Sequence, residues 1–311
     1  MLQSQPEAEA RACRYGEEGS KLKFTKKPEA VTLSIGDGAN DVNMITEAHV
    51  GIGIKGVEGQ QAARASDYAI GEFKLLKRLL FFHGRESYRK NSTLILYNFF
   101  KNILLCVPQY WFGITNYLSG QTLYESFNYQ MYNIVYTSLP IVLYALFDKH
   151  TTDLILLTDP TYYVPGPKRM LFNTTRFLKW FLWASIQALC LVYFSFGMFD
   201  SKFSTAEGNS YGFWVVGHMT FVGVVFLSNL KIATFSAAYS IATVVGMIGS
   251  FIACLLAWVF VSSFDYGVLE HTIWITIKKP QIYIFLFVLV GFTLIDWAGH
   301  KIIGSLVLTP R

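Results

Sequence analysis

Beyond about residue 90 the sequence is a succession of apolar segments, each near the roughly twenty residues a helix needs to cross a bilayer. Charge is concentrated before them and in a few short loops between them. Only 15% of the residues are charged, against roughly a quarter in ordinary soluble domains, while 52% are hydrophobic and 16% aromatic. The reading is a multi-pass α-helical membrane domain carrying a small polar head. The net charge of +5 comes mostly from juxtamembrane Lys and Arg. It points to anionic lipid headgroups as the partner rather than nucleic acid, for which no binding motif is present.

Six crossings are expected, at approximately 91–117, 127–147, 177–199, 211–228, 236–262 and 282–303. The first grows out of a long helix from Lys74 to about Phe112, interrupted by no proline before Pro108. That helix starts amphipathic, passes a basic belt (Arg85, Arg89, Lys90) and becomes apolar, so it reads as a rod leaving water and entering lipid. The linker 148–176 holds Lys149, Lys168, Arg169 and Arg176, which places it in the cytosol by the positive-inside tendency. The stretches 118–126, 200–210 and 263–280 then face the other side, with the carboxylates Glu125, Asp200, Glu207 and Glu270. An even number of crossings leaves both ends in the cytosol.

Residues 1–29 read as a divergent, disordered lead-in without the apolar core of a cleavable signal, and residues 30–90 as the head and stalk. Cys13, Cys106, Cys190 and Cys254 have no paired spacing and read as reduced. The Asn-x-Thr sequons at Asn91 and Asn173 fall on cytosolic flanks and read as chance matches.

Within the head, Val31–Ile35 reads as a strand, followed by Gly36-Asp37-Gly38-Ala39-Asn40-Asp41 and a short helix over Asp41–Ala48. A second strand (Val50–Ile54), a helix (Glu58–Ala65) and a third strand (Tyr68–Ile70) come next. The glycines allow a tight turn and a close approach to phosphate. Asp37 and Asp41 are hard oxygen ligands suited to Mg²⁺, and Asn40 can donate to a phosphoryl oxygen without adding charge. A loop at the C-terminal end of a strand is where open α/β sheets place their chemistry. The alternative is a turn that only closes the strand, with Asp41 capping the following helix.

Lys101 is the sharpest residue of the membrane region, about 12 Å into the apolar stretch that starts at Thr93. A charge near the bilayer centre costs about 2.5–3.5 kcal/mol on insertion scales. Asn98, Lys101 and Asn102 share one helical face by i, i+3, i+4 spacing, and Pro108 removes the hydrogen bond to residue 104 and should kink the helix beyond them. They could meet a headgroup passing through a groove, with Asn133, Thr137 and Ser138 beside Pro140 on the same path. The alternative is structural pairing inside the bundle. His218 and the Asp296/His300 pair read as packing or boundary residues.

The acidic loop resembles the last acidic motif of haloacid-dehalogenase-type (HAD-like) phosphotransferases. The residues after the loop are more specific: Ala48-His-Val-Gly-Ile-Gly-Ile54, Glu58-Gly-Gln-Gln-Ala-Ala-Arg-Ala-Ser-Asp-Tyr-Ala-Ile70 and His83-Gly-Arg-Glu-Ser-Tyr-Arg89. Leu94-Ile-Leu-Tyr-Asn-Phe-Phe-Lys-Asn102, Ser119-Gly-Gln-Thr-Leu-Tyr124, Thr137-Ser-Leu-Pro140 and Leu171-Phe-Asn173 continue the pattern. From about residue 30 onward the chain resembles the C-terminal portion of the type IV P-type ATPases, the phospholipid flippases. The resemblance implies six transmembrane helices attached to the distal part of a HAD-like phosphorylation domain, with Mg²⁺ as cofactor and ATP as substrate. It implies that Asp37 holds the metal, that Asp41 supports it, that Asn40 contacts the transferred phosphoryl group, and that Lys101 and Asn102 lie on the lipid path. As partners it implies a phospholipid, an aminophospholipid in the first instance, and a small two-span accessory β-subunit. The location it implies is the plasma membrane or Golgi and endosomal membranes of a eukaryote.

The sequence departs from the family by containing no Asp-Lys-Thr-Gly run for the phosphorylated aspartate, no actuator-type Asp-Gly-Glu-Thr loop and no catalytic lysine in its usual context. This chain alone is therefore expected not to be catalytic. Two alternatives remain: a non-catalytic membrane protein that binds lipid or the accessory subunit, and the C-terminal part of a P-type cation pump. The lack of carboxylates in the middle of the first two membrane segments opposes the second.

Overall fold

The computed structural model describes residues 31–56, 60–199, 212–263 and 276–308, with side chains to residue 299. The expected lead-in 1–29 and the residues Asp200, Glu207 and Glu270 lie outside the described residues. The chain divides into two compact units, residues 1–76 and 77–311.

In the first unit three parallel strands, β1 (Leu33–Gly36), β2 (Val50–Ile54) and β3 (Tyr68–Ile70), lie in the order β1-β2-β3. Leu33 faces Val50 and Ile52 faces Tyr68. The connections are the short helices α1 (Val42–Glu47) and α2 (Gln61–Ala65). The alternating glycines of β2 explain how both helices close onto it. A Cβ on Gly51 would sit 2.6 Å from the Ile45 carbonyl oxygen, and one on Gly53 would sit 2.5 Å from Ala63 Cα. Among the described residues, Ile45, Ile52, Ala62 and Ile70 are the buried apolar core of this unit. Asp67 accepts from the Gly51 amide at 2.8 Å and His49 Nδ1 lies 2.9 Å from Thr32 Oγ1, so side chains tie the strand ends together.

The long helix expected from Lys74 runs from Leu75 to Thr115 as α3 (Leu75–Arg78), a π-helical stretch (Leu79–Gly84) and α4 (Arg85–Thr115), which continues through Pro108. The segment expected at 127–147 is not one helix. It forms α5 (Ser126–Met131), a π-helical turn (Tyr132–Tyr136) and α6 (Ser138–Phe147), with Thr137 at the break. The basic linker contains α7 (Asp153–Thr158). Then come α8 (Thr174–Phe199), α9 (Phe213–Phe235), α10 (Ile241–Ser262) and α11 (Pro280–Leu308). Asn173, half of a sequon motif, caps α8 by accepting from the Arg176 amide at 2.7 Å.

Among the described residues, four helices are long and apolar enough to cross a membrane: α8, α9, α10 and residues Pro280–Gly299 of α11. The apolar window of α9 is 78% buried, against 33%, 28% and 22% for the other three, so α9 is the axis of the bundle. Lipid is as apolar as leucine, so helices associate there through close packing of small residues. A Cβ on Gly217 would collide with the Leu123 carbonyl, one on Gly223 with Leu191 and Phe285, and one on Gly246 with Leu143. Two expected boundaries are corrected. The segment placed at 211–228 runs on to Phe235, because Lys231 is neutralised inside the bundle rather than ending the helix. The next begins at Ile241 rather than 236, because Ser236–Ala238 turn to bind a buried carboxylate, Asp148.

Candidate functional site

The first constellation is the acidic loop. β1 ends at Gly36, and Ala39–Asp41 form a single 3-10 turn leading into α1. Asp41 folds back over the loop that precedes it, Oδ2 accepting from the amides of Asp37 at 3.2 Å and Gly38 at 3.3 Å. This close approach explains Gly36, whose Cβ would sit 2.3 Å from Asp41 Cβ. The Asp37 and Asn40 side chains are exposed and neither makes a hydrogen bond among the described residues. The loop thus contains one carboxylate committed to backbone amides and one uncommitted carboxylate beside it. No group of three His, Cys, Asp or Glu among the described residues would hold a metal unaided. Two carboxylates with an exposed face fit Mg²⁺, which keeps waters and takes phosphate oxygens.

The second constellation surrounds the break between α5 and α6. Interrupting a helix frees carbonyls that an apolar medium cannot satisfy, and side chains satisfy them here. Thr137 Oγ1 donates to the Tyr132 carbonyl at 2.8 Å and Ser138 Oγ to that of Ile134. The Tyr136 carbonyl accepts from Asn229 Nδ2 of α9 at 3.1 Å and from Ser250 Oγ of α10. Lys101 is buried and its Nζ donates to Thr137 Oγ1 at 3.0 Å. The Tyr132 hydroxyl closes the ring, donating to the Lys101 carbonyl at 2.9 Å and lying 2.8 Å from Ser228 Oγ of α9. A cation is therefore held where the segment 126–147 loses its regular backbone.

The three polar residues expected to share a face of α4 are divided. Lys101 turns inward, whereas Asn98 and Asn102 are exposed and make no hydrogen bond among the described residues. Asn133 lies exposed on the π-helical turn. The separation follows from helical angle: Asn98 and Asn102 lie about 40° apart, and Lys101 is at the edge of their face.

Sequence reasoning missed two further polar clusters. Asp148, fully buried, accepts from Arg89 Nη1 at 2.7 Å, from the amides of Ala237 and Ala238 at 2.9 Å each, and from Ser236 Oγ at 3.1 Å. Arg89 also pairs with Glu86 at 2.8 Å. The basic belt is thus a joint binding α4, the end of α6 and the turn before α10. The other cluster is Lys231 of α9, which pairs with Asp296 of α11. The sequence alone marks Arg89 as part of a basic belt and Asp296 as a packing or boundary residue, and says nothing of their partners Asp148 and Lys231. His218 is buried with its ring 4.4 Å from that of Trp258, in keeping with a packing role. Cys106, Cys190 and Cys254 are free.

A family profile described as phospholipid-translocating P-type ATPase C-terminal matches residues 63–308. The chain belongs to this family. Among curated relatives, phospholipid-transporting ATPase IH of Mus musculus is 42% identical over 212 residues, 68% of this chain and 18% of the relative. Phospholipid-transporting ATPase IG of Homo sapiens is 36% identical over 285 residues, 92% of this chain and 24% of the relative, a stretch long enough to include the acidic loop. A phospholipid-transporting ATPase of Schizosaccharomyces pombe is 39% identical over 222 residues, 71% of this chain and 18% of the relative. The chain spans about a fifth of the length of these relatives. Within the phospholipid-translocating P-type ATPase family match lies the whole Lys101–Thr137–Tyr132 ring, so the family region and the buried lysine coincide.

Proposed function

We propose that this chain is the C-terminal portion of an ATP-driven phospholipid flippase, contributing a phosphate-site loop and a lipid path. The observation that carries the reading is the Lys101 ammonium, buried and bonded to a neutral hydroxyl at a helix break. A cation without a carboxylate partner among the described residues is suited to the phosphodiester or carboxylate of a headgroup. In this reading α4 and the α5–α6 pair cross the membrane beside the four apolar helices, giving six crossings with both ends in the cytosol. Lipid moves from the exoplasmic to the cytosolic leaflet. Asn98, Asn102 and Asn133, exposed near the same path, offer neutral hydrogen bonds that a headgroup can exchange for water.

The first unit is read as the distal part of a HAD-like phosphorylation domain. Asp37 and Asp41 would hold Mg²⁺, which when bound supplies charge neutralisation for phosphoryl transfer from ATP. Asp41 holds the loop amides in place, Asn40 donates to the phosphoryl oxygen, and Asp37 presents the uncommitted carboxylate. The sequence contains no Asp-Lys-Thr-Gly nucleophile, so the 311-residue chain by itself turns over no ATP. A small two-span accessory subunit is the partner of the exoplasmic side, aminophospholipid the substrate class, and the plasma membrane or Golgi and endosomal membranes the location.

The test is Lys101→Ala in a complete transporter carrying these residues. Lipid stimulation of ATPase activity is expected to fall at least about tenfold, a loss of about 1.4 kcal/mol, while basal phosphoenzyme formation persists. Equal loss of both would assign Lys101 to structure and remove it from the lipid path.

A further inference from the structure

We propose that the buried Lys231–Asp296 pair is a positioning element for Lys101, an inference that rests on reading Lys101 as the headgroup contact. Lys231 Nζ lies 2.8 and 2.7 Å from the two carboxylate oxygens of Asp296, a symmetric pairing that joins α9 to α11. The same ammonium stands 4.7 Å from the ring centroid of Trp180 on α8 and 5.1 Å from that of Phe100 on α4. Those two rings meet edge to face, with centroids 6.0 Å apart. One cation therefore addresses three neighbouring helices, and its contact on α4 is the residue immediately before Lys101.

A second contact from α9 reaches the same spot. Ser228, one turn before Lys231 on the same face of α9, lies 2.8 Å from the Tyr132 hydroxyl, which donates to the Lys101 carbonyl at 2.9 Å. The axial helix thus holds the Phe100–Lys101 segment at two points, through a ring and through a peptide oxygen. The side chain of Lys101 is left to Thr137 at the break. Electrostatics agree with this division. Asp296 neutralises Lys231, so the pair places no net charge beside Lys101, and an arriving anion meets the Lys101 ammonium as the attractive group. A buried ion pair is weak evidence for stability, since apolar residues of similar volume often do as well. Placement of a neighbouring group is a role that such replacements would not fill.

The experiment uses the chain in phosphatidylcholine nanodiscs. Three quantities are measured: the rate at which a membrane-permeant amine-reactive ester acylates Lys101, by mass spectrometry; binding of spin-labelled phosphatidylserine; and thermal unfolding. The exchanged variant, Lys231→Asp with Asp296→Lys, keeps the pair but moves the ammonium to α11, away from the rings. Phe100→Leu keeps the pair and removes its contact on α4. Both are expected to retain the melting transition, to raise Lys101 acylation about tenfold and to weaken phosphatidylserine binding by a similar factor. Lys231→Arg, which preserves cation and rings, is expected to behave as the parent. Unchanged acylation in Phe100→Leu overturns the proposal, and that variant decides alone if the exchanged one does not fold. Restoration of parental acylation by the exchanged pair overturns it as well, leaving a simple interhelical tie. Lys101→Ala is run alongside. If it leaves phosphatidylserine binding intact, the headgroup reading fails, while the acylation rates still judge the Lys231 positioning role.

Discussion

The acidic loop and the Lys101 ring present charge in opposite ways. Asp37 stands in solvent beside a loop whose own amides are held by Asp41, and the hydrogen bonds that shape the loop come from within five residues. Lys101 is buried, and the groups that fix it come from residues 31 to 36 positions later, with α9 behind them. In water a charged side chain needs little support, so the loop is built from local turn chemistry and glycines. In an apolar bundle a buried polar atom needs a protein partner, which for the Tyr136 carbonyl comes from two other helices. The first region should therefore keep its stability when Asp37 loses its charge but not when volume is added at Gly36, and the second should lose stability when either charge or volume is removed.

The largest effect is expected at Asp148, the most connected buried carboxylate of the membrane unit. Asp148→Ala leaves Arg89 and two turn amides without their acceptor and should cost about 3–5 kcal/mol, as breaking buried pairs does. Thermal unfolding in detergent measures it, and a loss below about 1 kcal/mol would mean that water replaces the carboxylate there. Next comes volume in the head. Gly53→Ala forces a methyl into the backbone of α2 and should cost about 1–3 kcal/mol, read as faster amide exchange across β2. Gly38→Ala, whose Cβ would meet nothing closer than 3.9 Å, should stay within about 0.5 kcal/mol. Equal effects would show that strand packing does not explain the glycines.

The two loop carboxylates come third. Asp41→Asn weakens the anchoring of two amides and should destabilise the loop by about 1–2 kcal/mol. Asp37→Asn should change stability by less than about 0.5 kcal/mol yet abolish Mg²⁺-dependent phosphoenzyme formation in a complete transporter. Near-normal phosphorylation of that variant would withdraw the metal assignment. The smallest effect belongs to His150, in the linker after α6. Partial desolvation and the charges of Arg85 and Arg89 hold it below its usual pKa, opposed by Glu86 and Asp148. Arg85 Nη2 lies 3.5 Å and Thr151 Oγ1 2.8 Å from its Nδ1. The unfolded chain then binds this proton more readily than the folded one, so stability is lost as pH falls below about 6.5 toward the lower folded value. The ring is exposed, which keeps the effect small. His150→Gln should flatten that part of the pH–stability curve, and an unchanged slope would place the titration elsewhere.

Glycine spacing, strand propensity and apolar length sufficed to locate β2 and β3 at their observed bounds, to place a helix over most of Lys74–Phe112, and to single out Lys101 and the acidic loop. These are properties of contiguous residues, and local backbone preference or burial length decides them. What the chain order does not encode is which distant group satisfies a given polar atom. The break at Thr137 was not evident because a proline at position 140 is tolerated in the first turn of a helix, and the π-helical turn before it depends on Asn229 and Ser250 for its carbonyl. Lys231 fell outside the segment expected at 211–228, and its partner lies 65 residues away on α11. Arg89 looked like a headgroup-facing belt because Asp148 is reached only when α4 and α6 pack. Sequence determined where apolar length and acidic chemistry lie. Tertiary packing decided which buried charges meet a carboxylate, as Arg89 and Lys231 do, and which meet only a hydroxyl, as Lys101 does, since three-dimensional contact alone brings the partner.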